Sequence, residues 1–240
     1  MKNEVSIYPP PRKIKGFTLA EVLITLVIIG VIAAITVPSL IQSSREKEFH
    51  SMLKKNFSVL QNSLQRAQVE EGLIGDNTVV FTPSSDSNKH YESAKRLAKY
   101  LNTVKICKRH SDTNCSNIYY PINYSTQRAD FLNTNNCGGI VLSDGSIYKI
   151  TQYENCSALV NDCIQDKNGI CKKDENGNTT NNDWERSYCA EVIIDVNGVK
   201  KPNKLGKDVF VFRVYQDKVT LASWKALGTD KQRDIILNKY

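Results

Sequence analysis

The stretch KGFTLAEVLITLVIIGVIAAITVPSLI, residues 15–41, decides how this chain is organised. Residues 17–41 contain 18 apolar side chains among 25 and a single charge, Glu21. A helix of that length extends about 37 Å, enough to cross a hydrocarbon layer of roughly 30 Å. The basic residues precede this segment, which predicts a cytoplasmic leader and places everything after Ser39 outside the cytoplasm. They are Lys2, Arg12, Lys13 and Lys15.

The composition of the whole chain conceals this segment. The 240 residues are 40% apolar and 24% charged, with a net charge of +7, a pI near 8.9 and a mean hydropathy of -0.39. These values exclude a disordered, collagen-like or polytopic membrane protein as a description of the whole chain. All seven cysteines lie beyond residue 100, which agrees with an oxidising location for that part.

Three ordinary explanations compete for the apolar segment. A cleaved secretory signal peptide has a basic start, and Val31-Ile32-Ala33 resembles its cleavage site. A buried core helix and a simple membrane anchor are the other two. None of the three explains Glu21, because a carboxylate near the start of an apolar helix is costly unless it has a partner.

Cleavage between Gly16 and Phe17 would give Glu21 a partner. The new α-amino group would lie four residues away on the same helix face. The amino terminus of a neighbouring subunit could supply the same charge between chains. Glu21 is therefore a candidate assembly residue, and Gly16 and Phe17 are candidate processing residues.

The segment from Lys15 to Ile24, KGFTLAEVLI, resembles the signature of type IV pilins and of the pseudopilins of type II secretion systems. The resemblance implies that a prepilin peptidase cuts after Gly16 and methylates Phe17. The implied partners are this peptidase, other pilin or pseudopilin subunits, an inner-membrane assembly platform and the lipid bilayer. The implied location is a single crossing of the cytoplasmic membrane, followed by a pilus or pseudopilus filament.

Two residues weaken the apolar helix, at positions where many members of that family also carry helix-weakening residues. Gly30 and Pro38 cost about 1 and 3 kcal/mol in a soluble helix interior. An ordinary kink is one interpretation. The other, which rests on the resemblance, is local unwinding as the subunit leaves the bilayer and packs into a filament.

The chain after the membrane segment predicts an α+β fold. An apolar stripe at helical spacing runs to Ala67, and Gly72 and Gly75 follow it. We expect a leader at 1–16, a transmembrane and assembly helix at 17–41, an amphipathic stem helix at 42–72 and a globular domain at 73–240. The stripe consists of Phe49, Leu53, Phe57, Leu60, Leu64 and Ala67.

The globular part predicts one short helix and a small antiparallel sheet that the stem covers on one face. The helix is expected at 91–101. Residues 139–150 form a hairpin signal across Asp144-Gly145, residues 191–196 predict a strand, and residues 209–221 predict a second hairpin. The resulting long helix on a small sheet also resembles the pilin architecture.

The seven cysteines indicate disulfides rather than a metal site. No C-x-x-C and no close histidine pair is present. Cys107 and Cys115 predict a small closed loop, and the four cysteines from 137 to 171 predict staples in the central region. Seven is an odd number, so at least one thiol is free or pairs between chains.

The sequence Asp-x-Asn-Gly occurs three times, beginning at Asp166, Asp174 and Asp195. Turn chemistry explains such repeats, because Asn-Gly favours positive backbone angles and Asp caps turns. The alternative is a calcium site, for which Asp195, Asn197 and Asp208 are the candidates, since calcium takes carboxylate and carbonyl oxygens. Some pseudopilins carry a calcium ion near the carboxyl terminus. We expect no other cofactor.

A structural subunit is the leading prediction, and two other classes compete with it. An anchored enzyme has little support, because the sequence holds no G-x-S-x-G, H-E-x-x-H, Walker or dinucleotide motif. A minor pilin that binds DNA or a surface at a filament tip would use five basic residues near the carboxyl terminus. The leader carries +3 of the charge, and the remaining +4 is too mild to argue for nucleic acid. The five are Lys200, Lys201, Lys204, Lys207 and Arg213.

Overall fold

The computed structural model describes residues 16–122, 134–163, 173–178 and 181–222, with the backbone alone for 158–163 and 181–185. The chain divides into two compact units, Met1–Arg45 and Glu46–Tyr240. The first unit holds the apolar part of a long helix, and the second holds the rest of that helix and a sheet. The architecture is α+β and pilin-like, as the sequence predicts.

The described residues contain two α-helices, two short 3-10 helices (Asn77–Val79 and Ser116–Ile118) and eight strands. Helix α1 spans Leu19–Glu70 and helix α2 spans Lys89–Ala98. The strands are β1 Thr103–Cys107, β2 Gly138–Leu142, β3 Ile147–Gln152, β4 Ala158–Cys163, β5 Asn181–Arg186, β6 Ala190–Asp195, β7 Val209–Val214 and β8 Val219–Leu221.

Six strands form one antiparallel sheet in the order β1-β2-β3-β6-β7-β8, and β4 and β5 form a separate two-stranded sheet. The Asp144-Gly145 turn joins β2 and β3, and Gly145 adopts a φ of 88°, which a residue with a side chain rarely takes. The predicted hairpins at 139–150 and 209–221 and the strand at 191–196 are confirmed. The sequence predicts the two hairpins because each combines apolar runs with a turn signal.

The second half of helix α1 packs on one face of the six-stranded sheet. Its apolar stripe is buried from Leu53 to Ala67, and the side chains meet the alternating inward residues of β3, β6 and β7. Phe57 stacks on Phe212 with ring centroids 5.5 Å apart. Helix α1 ends at Glu70, and Gly72 with a φ of 69° follows it, as the sequence predicts.

The opposite face of the sheet is covered by loops. One apolar cluster joins Ile122 and Leu205 to β6 and β7, and another joins Ile118 and Tyr119 to the start of β3. Because both faces are covered, polar side chains on this second face are also removed from water. Lys149 and Asp195 are two such residues, each 1% exposed.

Several elements differ from the sequence prediction. Helix α2 begins two residues before and ends three residues before the predicted 91–101. Strands β1, β4 and β5 were not predicted. Strand β1 carries Lys105 and a bulge at Val104, so its sequence shows no clear apolar alternation. Strand β5 consists mostly of polar residues that are typical of turns, so it shows no such alternation either.

The disulfides confirm one cysteine prediction and correct another. Cys107 pairs with Cys115, as expected. The prediction that the four cysteines from 137 to 171 form disulfides in the central region is wrong for two of them. Cys156 pairs with Cys189, outside that region, and Cys137 is a buried free thiol. The pairing of β3 with β6 brings Cys156 beside Cys189. The side chains of Cys163 and Cys171 lie outside the described residues.

Candidate functional site

The candidate processing site lies at the start of helix α1. Residues 16–18 are not helical, and the helix begins at Leu19. Nothing in the described structure lies within 4 Å of a Cβ built at Gly16, and the Phe17 side chain is 88% exposed. The peptide bond between the two predicted processing residues therefore lies in exposed chain outside the helix.

Glu21 folds back on the first helical turn. Its Oε2 accepts hydrogen bonds from the Thr18 backbone N–H and the Thr18 hydroxyl, both at 2.8 Å. The Thr18 Oγ1 in turn accepts from the Glu21 N–H at 3.2 Å. This reciprocal arrangement is a capping box, which satisfies amide groups that have no partner within a helix. The helix start is thereby fixed at Thr18, and the carboxylate is held four residues from Phe17.

The two helix-weakening residues lie within an uninterrupted helix. Helix α1 continues through Gly30 and Pro38 to Glu70. A Cβ built at Gly30 meets no atom within 4 Å, so packing inside the described chain does not require a glycine there. The predicted unwinding at Gly30 and Pro38 stays a prediction.

The apolar part of helix α1 is exposed. By length and composition it is the one described helix that could cross a membrane, and its most apolar window has no residue buried against the rest of the chain. Val27, Ile29 and Ile35 are 61–73% exposed. An apolar surface of this extent requires a cover of lipid or of other apolar helices.

The family comparison addresses this same stretch. Residues 11–37 match the family described as the prokaryotic N-terminal methylation motif. The chain carries the type IV pilin and pseudopilin signature. No curated protein and no solved structure matches the chain. The signature covers Gly16, Phe17, Glu21 and Gly30 and ends one residue before Pro38.

A second group of functional interest lies away from the pilin signature, on the loop-covered face of the sheet. We call Tyr120, Lys149, Asp195 and Asp208 the buried polar cluster. The Tyr120 hydroxyl donates to Asp195 Oδ2 at 2.7 Å and lies 3.1 Å from the Gly198 carbonyl oxygen. The Lys149 Nζ lies 4.1 Å from the centre of the Tyr120 ring. It makes no hydrogen bond within the described residues.

Burial dominates the electrostatics of this cluster. Burial raises the pKa of Asp195 to about 7, with the hydrogen bond from Tyr120 acting to lower it and the nearby Asp208 carboxylate acting to raise it. Burial also raises the pKa of Asp208 and lowers that of Lys149 to about 8. Two carboxylates and one ammonium leave one negative charge without a counter-charge when all three are ionised, and such a charge is costly in a buried site.

The structure brings together the three residues that the sequence suggested for calcium. Asp195 ends β6, and its Oδ1 accepts from the Asn197 N–H at 3.2 Å. Asp208 closes the same loop by accepting from the Asn203 and Lys204 N–H groups at 2.8 and 2.7 Å.

The same loop also holds free acceptors. Two buried amide oxygens, Asn197 Oδ1 and Asn203 Oδ1, have no hydrogen-bond partner among the residues that the structure describes. In the described part of the chain no group of three or more His, Cys, Asp or Glu residues is arranged to hold a metal. A cation here would therefore depend on these amide oxygens and on backbone oxygens as well as on Asp195 and Asp208.

Of the other two Asp-x-Asn-Gly repeats, the structure describes the one that begins at Asp174. Asp174 Oδ1 accepts from the Asn176 and Asn178 N–H groups at 2.9 and 2.8 Å, which is the turn chemistry that the sequence predicts. Asp166 lies outside the described residues. Arg213 is the last of the five basic residues considered for DNA or surface binding. Its Nε lies 3.3 Å from Glu191 Oε1 and its guanidinium stacks on the Tyr188 ring, so its contacts are within the chain.

Sequence reasoning missed Thr18, Tyr120 and Lys149. The capping pattern Thr-x-x-Glu at 18–21 was available as a signal for Thr18. No local pattern could have found the other two, since Tyr120 contacts Asp195 across 75 residues of chain.

Proposed function

We propose that this protein is a structural subunit of a type IV pilus or of a type II secretion pseudopilus. The observation that carries the proposal is the pilin signature at 11–37, which overlaps an exposed apolar helical segment whose residues 17–41 hold a single charge. The family that bears this signature is structural rather than enzymatic. A DNA-uptake pilus is a third system with the same kind of amino terminus.

The proposed maturation begins in the cytoplasmic membrane. Helix α1 crosses the bilayer once, with the 1–16 leader in the cytoplasm and the globular part at 73–240 outside it. A prepilin peptidase cuts between Gly16 and Phe17 and methylates the new amino group. The apolar segment at 17–41 then packs among identical or related helices on an inner-membrane assembly platform, and the stem at 42–72 carries the sheet. Burial of the exposed apolar surface drives this assembly.

Glu21 sets the register of assembly in this proposal. In the single chain its carboxylate is satisfied by Thr18. Among packed apolar helices, a correctly placed neighbour offers its positively charged amino terminus, whereas a misplaced one leaves the carboxylate without a charged partner. An unpaired charge between apolar helices is costly, so misplaced subunits are rejected.

The test compares Glu21→Val with Glu48→Val, an exposed acidic position in the same helix beyond the apolar run. Both variants are expressed in the native host, and membrane and sheared filament fractions are quantified by immunoblot. We expect Glu21→Val to insert and to be processed normally but to fall at least ten-fold in the filament fraction. Glu48→Val should assemble like the unmodified chain. Normal incorporation of Glu21→Val would remove the proposed role.

The helix-weakening role is tested by Pro38→Ala. If Gly30 and Pro38 allow helix α1 to unwind on assembly, Pro38→Ala lowers the filament yield or the extension of the filament under force. Unchanged yield and unchanged extension would reduce Pro38 to an ordinary kink.

A second candidate function is cation binding by the loop from Asp195 to Asp208. Two buried carboxylates favour it, together with two amide oxygens of the same loop that have no partner in the described part of the chain, because calcium takes six to eight oxygens of these types. At a free calcium concentration 100 times the dissociation constant, calcium binding would raise the free energy of unfolding by about 2.7 kcal/mol. Calcium should therefore raise the melting temperature by several degrees, with magnesium having less effect and Asp208→Asn abolishing the response. An unmoved melting temperature excludes the site.

The alternative of a tip-located binding module rests on the lysines of the same loop. Lys200, Lys201 and Lys207 are exposed there, close enough in sequence to form one basic surface. Retention of duplex DNA by the purified chain, lost as salt rises and lost on charge reversal of these lysines, would support this function. Salt-independent or absent retention would exclude DNA as the ligand.

A further inference from the structure

An open groove runs between helix α2 and the edge strand β1. It has a volume of about 470 Å³ and is lined by Lys95, Ala98, Lys99, Thr103, Val104, Lys105 and Ile106. Its three charged residues are all lysines. The floor is apolar, with Ala98 and Ile106 partly or fully withdrawn from water.

Strand β1 offers a free edge to this groove. Within the described residues it pairs with β2 on one side only, as the first strand of the sheet. The register shifts between Thr103 and Lys105, so Val104 bulges outward with 70% of its surface exposed. Edge strands are usually protected by charges or bulges against pairing with another chain. Strand β1 carries both of these features, Lys105 and the bulge, but the exposed apolar side chain of Val104 is not part of that protection.

The lysines are available to a ligand. The side chain of Lys99 makes no hydrogen bond or ion pair in the part of the chain that the structure describes. Lys95 contacts Glu92 at 3.3 Å, but both side chains are nearly half exposed, and such a pair is worth little. Lys105 donates to the Asn114 carbonyl oxygen and is held at the rim. A carboxylate in the groove could replace Glu92 at Lys95 and meet Lys99 without breaking a buried contact.

We propose that this groove binds an extended acidic segment of a partner protein, which adds a strand to β1. The backbone of the segment would pair with the free edge, an apolar side chain would cover Val104, and acidic side chains would meet the lysines of α2. A groove between an edge strand and a helix suits this mode because backbone pairing gives affinity and alternate side chains give specificity. The free edge favours a peptide over nucleic acid, whose sugar-phosphate backbone has no amides to pair with a strand.

The test uses the full chain in detergent and a fluorescein-labelled nonapeptide of alternating glutamate and valine, followed by fluorescence anisotropy. We expect saturable binding that weakens as salt increases. The double variant Lys95→Glu with Lys99→Glu should weaken binding at least ten-fold. The matched control is Lys200→Glu with Lys201→Glu, which changes the net charge equally at a different loop and should alter the affinity less than two-fold. Equal losses in both variants would reduce the effect to net charge and overturn the proposal.

Two further measurements separate strand addition from simple charge attraction. A peptide with methyl groups on alternate backbone nitrogens cannot pair along one edge, so it should bind at least ten-fold more weakly. Unchanged affinity would show that no strand is added. A 20-base-pair DNA duplex should not displace the acidic peptide, and displacement would identify the groove as a nucleic-acid site instead. No saturable peptide binding at 1 mM would also refute the proposal.

Discussion

The hydrogen bond between Tyr148 and Asn56 gives a quantitative test of how helix α1 is held on the sheet. The Tyr148 hydroxyl donates to Asn56 Oδ1 at 2.9 Å and lies 3.2 Å from the Asn56 carbonyl oxygen. Tyr148 is fully buried, and Asn56 is 2% exposed. Tyr148→Phe removes only the hydroxyl and leaves a buried amide oxygen without its donor. That loss costs about 1–3 kcal/mol, since no water can replace the donor.

A cost of about 2 kcal/mol would lower the melting temperature by roughly 4–8 °C in a chain of this size. The measurement is thermal and denaturant unfolding of the purified chain in detergent, followed by near-ultraviolet circular dichroism with the disulfides intact. Tyr91→Phe is the matched control, because Tyr91 is only partly buried and its hydroxyl makes no hydrogen bond in the described structure. It should change the free energy of unfolding by less than about 0.5 kcal/mol.

A double-mutant cycle isolates the contact. Asn56→Ala alone also loses the bond from Asn56 Nδ2 to the Met52 carbonyl oxygen. The double variant, Asn56→Ala with Tyr148→Phe, removes both partners of the helix–sheet hydrogen bond. Its loss in the free energy of unfolding should therefore be about 1 kcal/mol smaller than the sum of the losses in the two single variants. Additive losses, or a Tyr148→Phe variant that unfolds like the unmodified chain, would refute the contact.

Three more outcomes follow from buried contacts. The free energy of unfolding should fall as pH drops through about 6.5. Burial and Lys89 lower the pKa of His90, and its Nδ1 must stay unprotonated to accept a hydrogen bond from the Gln152 N–H. His90→Gln should therefore flatten this part of the pH profile. Gly138→Ala should cost about 1–3 kcal/mol in denaturant unfolding, because its Cβ would lie 2.2 Å from the His90 carbonyl oxygen, whereas Gly30→Ala should not lower the midpoint, because its Cβ meets no atom within 4 Å. Replacing both cysteines of the Cys156–Cys189 disulfide with serine should lower the free energy of unfolding by about 4 kcal/mol, because this disulfide closes a loop of 33 residues. The same change at Cys107–Cys115, with a separation of 8 residues, should cost about 2.5 kcal/mol. Equal losses would contradict this reasoning.

The parts of the fold that sequence predicts here are those with local signals. Helix α1 and its end before Gly72 follow from apolar spacing and a glycine stop, and the β2–β3 hairpin follows from Asp144-Gly145. Strand β1 was missed because a lysine and a bulge interrupt its alternation, and an edge strand needs little apolar surface. The predicted staple at Cys156 failed because disulfide partners are set by strand pairing rather than by proximity in sequence.

The candidate sites divide in the same way. Gly16, Phe17 and Glu21 lie within six residues of one another, so a linear motif identifies them. The buried polar cluster joins β3, β6 and two loops, and its members become neighbours only when the sheet forms. The sequence could suggest Asp195 and Asp208 from turn chemistry, but it could not place Lys149 and Tyr120 beside them.

The amino terminus of the mature protein shows whether the chain is processed as a prepilin. The chain is isolated from membranes of its native host, and its intact mass and amino-terminal peptide are measured by mass spectrometry, with a Gly16→Leu variant as the processing control. We expect a chain that begins with methylated Phe17, and a Gly16→Leu variant that keeps its leader. A chain that retains residues 1–16, or one that begins after Ala33 as a cleaved signal peptide would leave it, would refute processing as a prepilin.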